Sequence, residues 1–226
     1  MALPLLIIWI SVAVVSALAG TTIAIKWDNI VIALKGKRLA ILGARAVGKT
    51  HLFKFLTMGS IPTEYSQHMI RKTTAHRFQL KDLDLKIRES LDLPGAEDAY
   101  PDWKKVFNEA DFVFYLLRAD RLLAGDSGVE QRVRADLRHI GEWLNNRIPQ
   151  PPLFIIGTFC DLDPEFKDLS PDKRGDYVDK FRRLPIIFEL MAHAGGTWQN
   201  KVILGSMKSL PDTEALVYEI FNQVKS

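Results

Sequence analysis

Between residues 38 and 56 an apolar run, RLAIL, passes directly into Gly43-Ala-Arg-Ala-Val-Gly48-Lys49-Thr50 and then into HLFKFL. The spacing G-x-x-x-x-G-K-[ST] is met at every position. A strand, a glycine-rich loop and a helix in immediate succession aim several backbone N–H groups and a helix N-terminus at one point, which suits an anion. The strand must lie in a sheet and the helix on its face, where Leu52, Phe53 and Leu56 supply the apolar side. The candidate nucleotide-binding run is therefore Gly43, Ala44, Arg45, Ala46, Val47, Gly48, Lys49, Thr50 and His51. Lys49 is placed to meet β- and γ-phosphates, and the Thr50 hydroxyl to ligate Mg²⁺. Arg45 sits where it can point to solvent, neutralise phosphate charge as a catalytic group, or block a partner's arginine. The alternative for the whole run is a chance glycine-rich turn.

The remainder alternates between short apolar runs and helical periods. Strands are predicted at 38–42, 75–80, 84–91, 112–117, 153–157 and 201–204. Continuous runs such as FVFYLL and LFIIG suit strands covered on both faces, as in parallel sheets. Lys81-Asp82-Leu83 is short enough for a hairpin, so one antiparallel edge strand is expected. Val129, Val133, Leu137, Ile140 and Leu144 recur at helical spacing, with Arg132, Arg134, Asp136 and Arg138 off that face. Leu216, Val217, Ile220, Phe221 and Val224 form a second such stripe, with Ser209 and Asp212 spaced as a cap. Residues 162–200, broken by prolines, read as a helix interrupted by loops. The prediction is a three-layer α/β domain over 37–226, with a mostly parallel six-stranded sheet.

Ahead of it, residues 1–25 contain no charged side chain. Leu3 to Ile25 would span roughly 35 Å as a helix, enough for a bilayer core of about 30 Å. Lys26, Lys35, Lys37 and Arg38 follow, with Trp27 suited to the interface. The expectation is a transmembrane helix over 1–25, a juxtamembrane linker over 26–36, the N-terminus outside and the α/β domain in the cytoplasm. A signal peptide cleaved near Ala17-Leu18-Ala19 and a buried core helix are the rivals; the first lacks a basic start. The balance of 30 Lys+Arg against 27 Asp+Glu gives no basic stripe, so no nucleic acid is expected as a partner. The one cysteine, Cys160, excludes an intrachain disulfide framework and reads as a buried neighbour of the base pocket. His51, His68, His76, His139 and His193 lack ligand spacing.

Two further segments suit a nucleotide site. The third predicted strand ends in Asp92-Leu93-Pro94-Gly95, where the aspartate can hold Mg²⁺ and the glycine N–H can sense a γ-phosphate. Thr73, ahead of Thr74 and Thr63, is the candidate to complete the metal shell when that phosphate is present.

In this order, these residues resemble the Ras/Arf-type small GTPases of the P-loop class over roughly residues 37–225. In architecture the nearest resemblance is to the β subunit of the signal-recognition-particle receptor, which likewise has one membrane helix before an Arf-like domain and an Asp-Leu-Pro-Gly motif. The resemblance implies GTP or GDP as ligand and Mg²⁺ as cofactor. It implies guanine reading by Thr158-Phe159-Cys160-Asp161, with Asp161 accepting from the base, Thr158 standing in for asparagine and Phe159 for the usual lysine. Ser206 and Met207, in Gly205-Ser206-Met207-Lys208, match the segment that approaches the guanine carbonyl. The glutamine that orients water in that group is replaced by Ala96, with Glu97 next, so slow hydrolysis is expected, with Glu97 as the candidate substitute.

The resulting expectation is a membrane-anchored GTP-binding switch whose segments near 61–75 and 93–103 contact a protein partner. A nucleotide-locked scaffold with negligible turnover is the second reading. An ATP-dependent kinase or transport ATPase is the third, and Asp161 argues against it.

Overall fold

The computed structural model describes residues 12–14, 37–58, 100–167, 169, 173–193 and 201–224. Among these residues five strands form one sheet: β1 (Val12–Val14), β2 (Leu39–Gly43), β3 (Phe112–Arg118), β4 (Leu153–Thr158) and β5 (Lys201–Leu204). Their order is β1-β5-β4-β3-β2, and all four pairings are parallel. The helices are α1 (Lys49–Met58), α2 (Tyr100–Glu109), α3 (Ala119–Leu123), α4 (Ser127–Asn145), α5 (Pro164–Lys167), α6 (Arg174–Arg182), α7 (Pro185–His193) and α8 (Leu210–Val224).

Between their ends the strands β2 to β5 are apolar because both sides of the sheet are covered, with Arg118, Thr158 and Lys201 at strand termini, and the period of two sorts their side chains. One face carries Ala40, Leu42, Val113, Tyr115, Leu117, Leu153 and Ile155. It packs on Trp103 and Phe107 of α2, Val133, Leu137, Ile140 and Leu144 of α4, and residues of α6 and α7. The opposite face carries Leu39, Ile41, Phe114, Leu116, Phe154 and Ile156. It packs on Leu52, Phe55 and Leu56 of α1 and Leu216, Val217, Ile220 and Phe221 of α8. Phe114 is central here, with its ring 5.4 Å from Phe154 and 6.0 Å from Phe221. Truncating such a ring to alanine costs about 3–5 kcal/mol.

Local signals set the helix ends. Asp126 caps α4 by accepting from the Val129 N–H at 3.1 Å. Ser209 and Asp212 form the expected cap of α8, with the Asp212 N–H donating to Ser209 Oγ at 3.3 Å. Arg147 donates to the carbonyls of Phe107 and Ala110, both at 2.6 Å, and so satisfies the C-terminal end of α2.

Several expectations need correction. The helix expected over 1–25 is not what Val12–Val14 form: these residues are a strand parallel to β5, with Val12 opposite Val202 and Val14 opposite Leu204. The physical reason is that β5 would otherwise present an unpaired edge, which Val-Ala-Val is suited to fill. No helix among the described residues is long and apolar enough to cross a membrane. The predicted strands 75–80 and 84–91, two of the six expected and with them the antiparallel edge, lie outside the described residues. Leu52 and Leu56 are in the core with Phe53 packed partly buried against it, as expected, and Phe55 is buried there as well. Asp136, off the apolar stripe of α4, is nonetheless fully buried, since Tyr100 of α2 covers that side as well. Trp103 and Trp143 are core residues. The broken stretch after residue 162 contains three short helices, α5, α6 and α7.

Candidate functional site

Because β2 to β5 are parallel, their carboxyl ends share one rim, where open α/β sheets take ligands. Gly43 lies opposite Leu116, Arg118 opposite Thr158, and Gly157 opposite Leu204. The loops leaving that rim bring together the glycine-rich run, residues 158–161 and residues 205–208.

The loop from Gly43 to Thr50 needs its glycines. Gly43 has φ +141°, and a Cβ there would lie 2.4 Å from the Leu116 carbonyl oxygen. Gly48 has φ +94°, and its Cβ would meet Met207 Cε at 2.4 Å. Ala46 also adopts a left-handed conformation, with φ 59°. Lys49 is buried and donates its ammonium protons to the carbonyls of Gly43 at 2.9 Å and Ala44 at 2.6 Å. The side chain thus lies along the inside of the loop, where an anion would find it. Thr50, in the first turn of α1, is exposed, as is Arg45. His51 Nε2 is buried with no hydrogen-bond partner, and burial, with Lys54 second, lowers the pKa of the imidazole. An orphaned polar atom beside a turn of backbone amides fits a phosphate-bearing ligand.

The second loop is tied to the first. Thr158 Oγ1, fully buried, lies 3.0 Å from the Val47 carbonyl and 2.9 Å from that of Leu117. Phe159 is half-buried with φ 61°, and the Arg118 guanidinium stands 4.1 Å from its ring centroid. Arg118 in turn is gripped by Asp120, with Nε donating to Oδ1 at 2.7 Å and a second bond to Oδ2. Cys160 begins a short 3-10 turn, its N–H donating to the Gly205 carbonyl at 3.3 Å. Burial pushes the Cys160 thiol up to about 12.

The third loop meets the second through acid and hydroxyl. Ser206 Oγ donates to Asp161 Oδ1 at 2.7 Å and accepts from the Lys208 N–H at 3.0 Å. This fixes the plane of a half-exposed carboxylate at the rim. Met207 is nearly buried and packs with Val47. Such a carboxylate can accept two N–H donors presented side by side by a planar ring.

The structure therefore brings together Gly43, Ala44, Arg45, Ala46, Val47, Gly48, Lys49, Thr50, His51, Thr158, Phe159, Asp161, Ser206 and Met207. Thr63, Thr73, Thr74, Asp92, Gly95, Ala96 and Glu97 lie outside the described residues. So does the segment 61–75; of 93–103, only Tyr100 to Trp103 is described. Among the described residues no three His, Cys, Asp or Glu side chains gather as a metal site. Arg118 and Asp120 were missed from sequence, although the charged triplet Arg118-Ala119-Asp120 at the end of an apolar strand was a usable signal.

No family model matches the chain, and no curated protein matches it. Solved structures with similar arrangements include a GTP-binding protein from Sulfolobus solfataricus in complex with GDP, at 14% identity and TM-score 0.42. That match covers 88% of this chain and 56% of the other. Translation elongation factor SelB from Methanococcus maripaludis, with the GTP analogue GppNHp, matches at 16% identity and TM-score 0.45, covering 85% of this chain and 33% of its own. The Arl6 BBS3 small GTPase from Trypanosoma brucei, with bound GppNp, matches at 14% identity and TM-score 0.44, covering 83% and 98%.

Proposed function

We propose that the chain binds a guanine nucleotide as a slowly hydrolysing switch. The observation that carries this is the Thr158–Val47 tie, which holds a fixed carboxylate, Asp161, on the same rim as the loop around Lys49. The loop suits the phosphates, and Asp161 suits the N1–H and exocyclic amine of guanine, a donor pair that adenine lacks. Mg²⁺ would be held by Thr50 with Asp92 and Thr73, and would neutralise phosphate charge. Ala96 cannot orient water, so single-turnover hydrolysis is expected to be slower than about 0.01 s⁻¹, with Arg45 and Glu97 as the side chains that can contribute. Segments 61–75 and 93–103 would form the partner surface that responds to the nucleotide.

Membrane attachment through residues 3–25 belongs to the same proposal and takes a specific form. Val12–Val14 cannot lie in a bilayer while paired with β5, so attachment requires them to leave that edge. The basic residues from Lys26 to Arg38 would then keep the α/β domain on the cytoplasmic side with the N-terminus out. Alkaline extraction of membranes from cells making the full chain tests this: retention in the pellet supports attachment, release opposes it.

The second reading, a locked scaffold, draws support from the Phe159–Arg118 stack, which is suited to retaining a base for long periods. Acid release and chromatography of co-purified nucleotide, followed by GTP turnover, tests both. GTP or GDP with measurable turnover supports the switch, and unhydrolysed GTP the scaffold. ATP or ADP overturns the guanine assignment. Partner binding compared between GDP and a non-hydrolysable GTP analogue separates the two further, since only a switch shows a large difference.

A further inference from the structure

The amino ends of β2, β3 and β4 form the rim opposite the glycine-rich loop, because these parallel strands all run the same way. Three stretches meet on it. The Asp111 and Phe112 N–H groups donate to the Arg38 carbonyl at 2.7 and 3.2 Å, and the Val113 N–H to that of Pro152 at 3.0 Å. Lys37 therefore lies two strand spacings, about 10 Å, from the loop 146–152.

That loop is held at its base and bare at its tip. Arg147 donates to the carbonyls of Phe107 and Ala110, Asn146 Nδ2 to that of Glu142 at 2.8 Å, and Gln150 Nε2 to that of Leu144 at 2.9 Å. Between these anchors stand Ile148, 96% exposed, and Pro149, exposed as well. A lone exposed apolar side chain is ordinary on a protein surface. An isoleucine beside a proline, fixed by bonds on both sides, is instead a rigid apolar tip that loses little freedom when covered.

Charge and chain length say what covers it. Residues 26–38 carry Lys26, Lys35, Lys37 and Arg38 against Asp28, so four minus one gives +3, equal to the net charge of the entire chain. The acids on the rim itself are Glu109 and Asp111, the latter accepting from the Arg38 N–H at 2.7 Å and Nε at 3.3 Å. With residues 3–25 in a bilayer and Val12–Val14 gone from β5, the eleven residues 26–36 reach at most about 40 Å. The tip is then presented to that same membrane at high local concentration, where a contact too weak to hold a free protein suffices. Basic residues beside an apolar tip suit a leaflet containing anionic lipid.

We propose that the rim formed by Lys37, Arg38, Ile148 and Pro149 rests on an anionic lipid surface, with Ile148 inserted at headgroup level. The inference rests on the membrane-attachment reading and adds how the domain is oriented. The nucleotide rim faces away from the bilayer, open to nucleotide and to a protein partner.

The test uses the full chain incorporated into vesicles of phosphatidylcholine and phosphatidylserine, with a polarity-sensitive dye on Ile148→Cys or on Ser127→Cys. Ser127 is exposed at the other end of α4, about 27 Å away along the helix. Cys160 is fully buried, and wild type is the control for its labelling. Both labelled chains should float with the vesicles. The dye at 148 should shift to the blue and be quenched by spin-labelled lipid, and the dye at 127 should do neither. Leaving out phosphatidylserine should weaken the quenching at 148; unchanged quenching overturns the anionic surface. Flotation with no change at 148, or equal quenching at both positions, overturns the orientation and leaves attachment standing. A blue shift at 148 without lipid quenching means that protein, a second copy or a partner, covers the tip, and overturns the proposal too. Failure to float overturns attachment and orientation together.

Discussion

The hydroxyl of Thr158 reaches the carbonyl of Val47, 111 residues earlier in the chain, at 3.0 Å. With the Leu117 carbonyl at 2.9 Å, one buried oxygen joins the glycine-rich loop, the end of β3 and the end of β4. Replacing Thr158 with valine keeps the shape and removes the donor. The one hydroxyl proton that the Val47 and Leu117 carbonyls share is then lost, at a cost of about 1–3 kcal/mol. Urea denaturation should show that loss, and Thr158→Ser, which keeps the hydroxyl, should recover most of it. If the tie sets the spacing of the two loops, nucleotide affinity falls in the valine variant in parallel.

Asp136 is another polar centre, fully buried. Its carboxylate accepts from Tyr100 and Tyr115 at 2.9 Å each and from Arg132 Nε at 2.7 Å, joining α2, β3 and α4. Asp136→Ala strands the buried Tyr115 hydroxyl and opens a hole, so a loss of about 3 kcal/mol is expected by denaturant titration. Its pH dependence has a definite sign. Burial, partly offset by Arg132 and the tyrosine hydroxyls, raises the carboxyl above its ordinary 3.8. Between that raised value and 3.8 the folded chain binds the proton more tightly than the unfolded chain. Stability from this group therefore grows as pH falls through the window and is absent above it. Comparing wild type with Asp136→Asn at pH 7 and then stepwise down towards 3.8 isolates it: the gap should shift in favour of wild type as the pH falls.

The same residue shows where the sequence is silent. Helical period assigns each position of α4 to a face, yet it cannot say how many faces are covered. Asp136 lies beside the apolar stripe, under α2, whose own placement depends on contacts far away in the chain. By contrast, β3, β4 and β5 were legible almost to the residue, because a strand buried on both sides must be apolar along its interior, with polar residues such as Arg118, Thr158 and Lys201 confined to its ends. The loop from Gly43 to Thr50 was legible for a different reason: its backbone path demands glycine at Gly43 and Gly48. The Arg118–Phe159 contact was not, since nothing local couples the end of one strand to the end of the next. Val12–Val14 depart most plainly from expectation, as a strand where a helix was expected. An apolar run without charges satisfies a bilayer and a sheet edge equally well, and only the sheet reveals the vacancy beside β5.

Cys160 should be chemically inert in the folded protein. Its thiol is fully buried, with Sγ 3.7 Å from the Gly157 carbonyl, and is pushed up to about 12, mainly by burial. The thiolate is the reactive form, so alkylation at pH 8 should be negligible in the native state and rapid in 6 M guanidinium. Reaction of the native chain at the rate of a free thiol would show that the turn from Cys160 to Leu162 opens readily.

Gly48 and Met207 make a testable pair. A methyl group at Gly48 meets Met207 Cε at 2.4 Å, and the backbone there has φ +94°, a region L-residues avoid. Gly48→Ala therefore suffers two separate penalties, a clash with a flexible side chain and a strained dihedral. Met207→Ala removes the first and leaves the second, at the cost of the packing Met207 provides beside Val47. A double-mutant cycle measured by denaturation should give a favourable coupling of about 1 kcal/mol between the two changes. The double variant should still fall below Met207→Ala alone, by the residual strain of about 1–2 kcal/mol. Strict additivity would mean that Met207 turns away at no cost, so that the third loop does not brace the first.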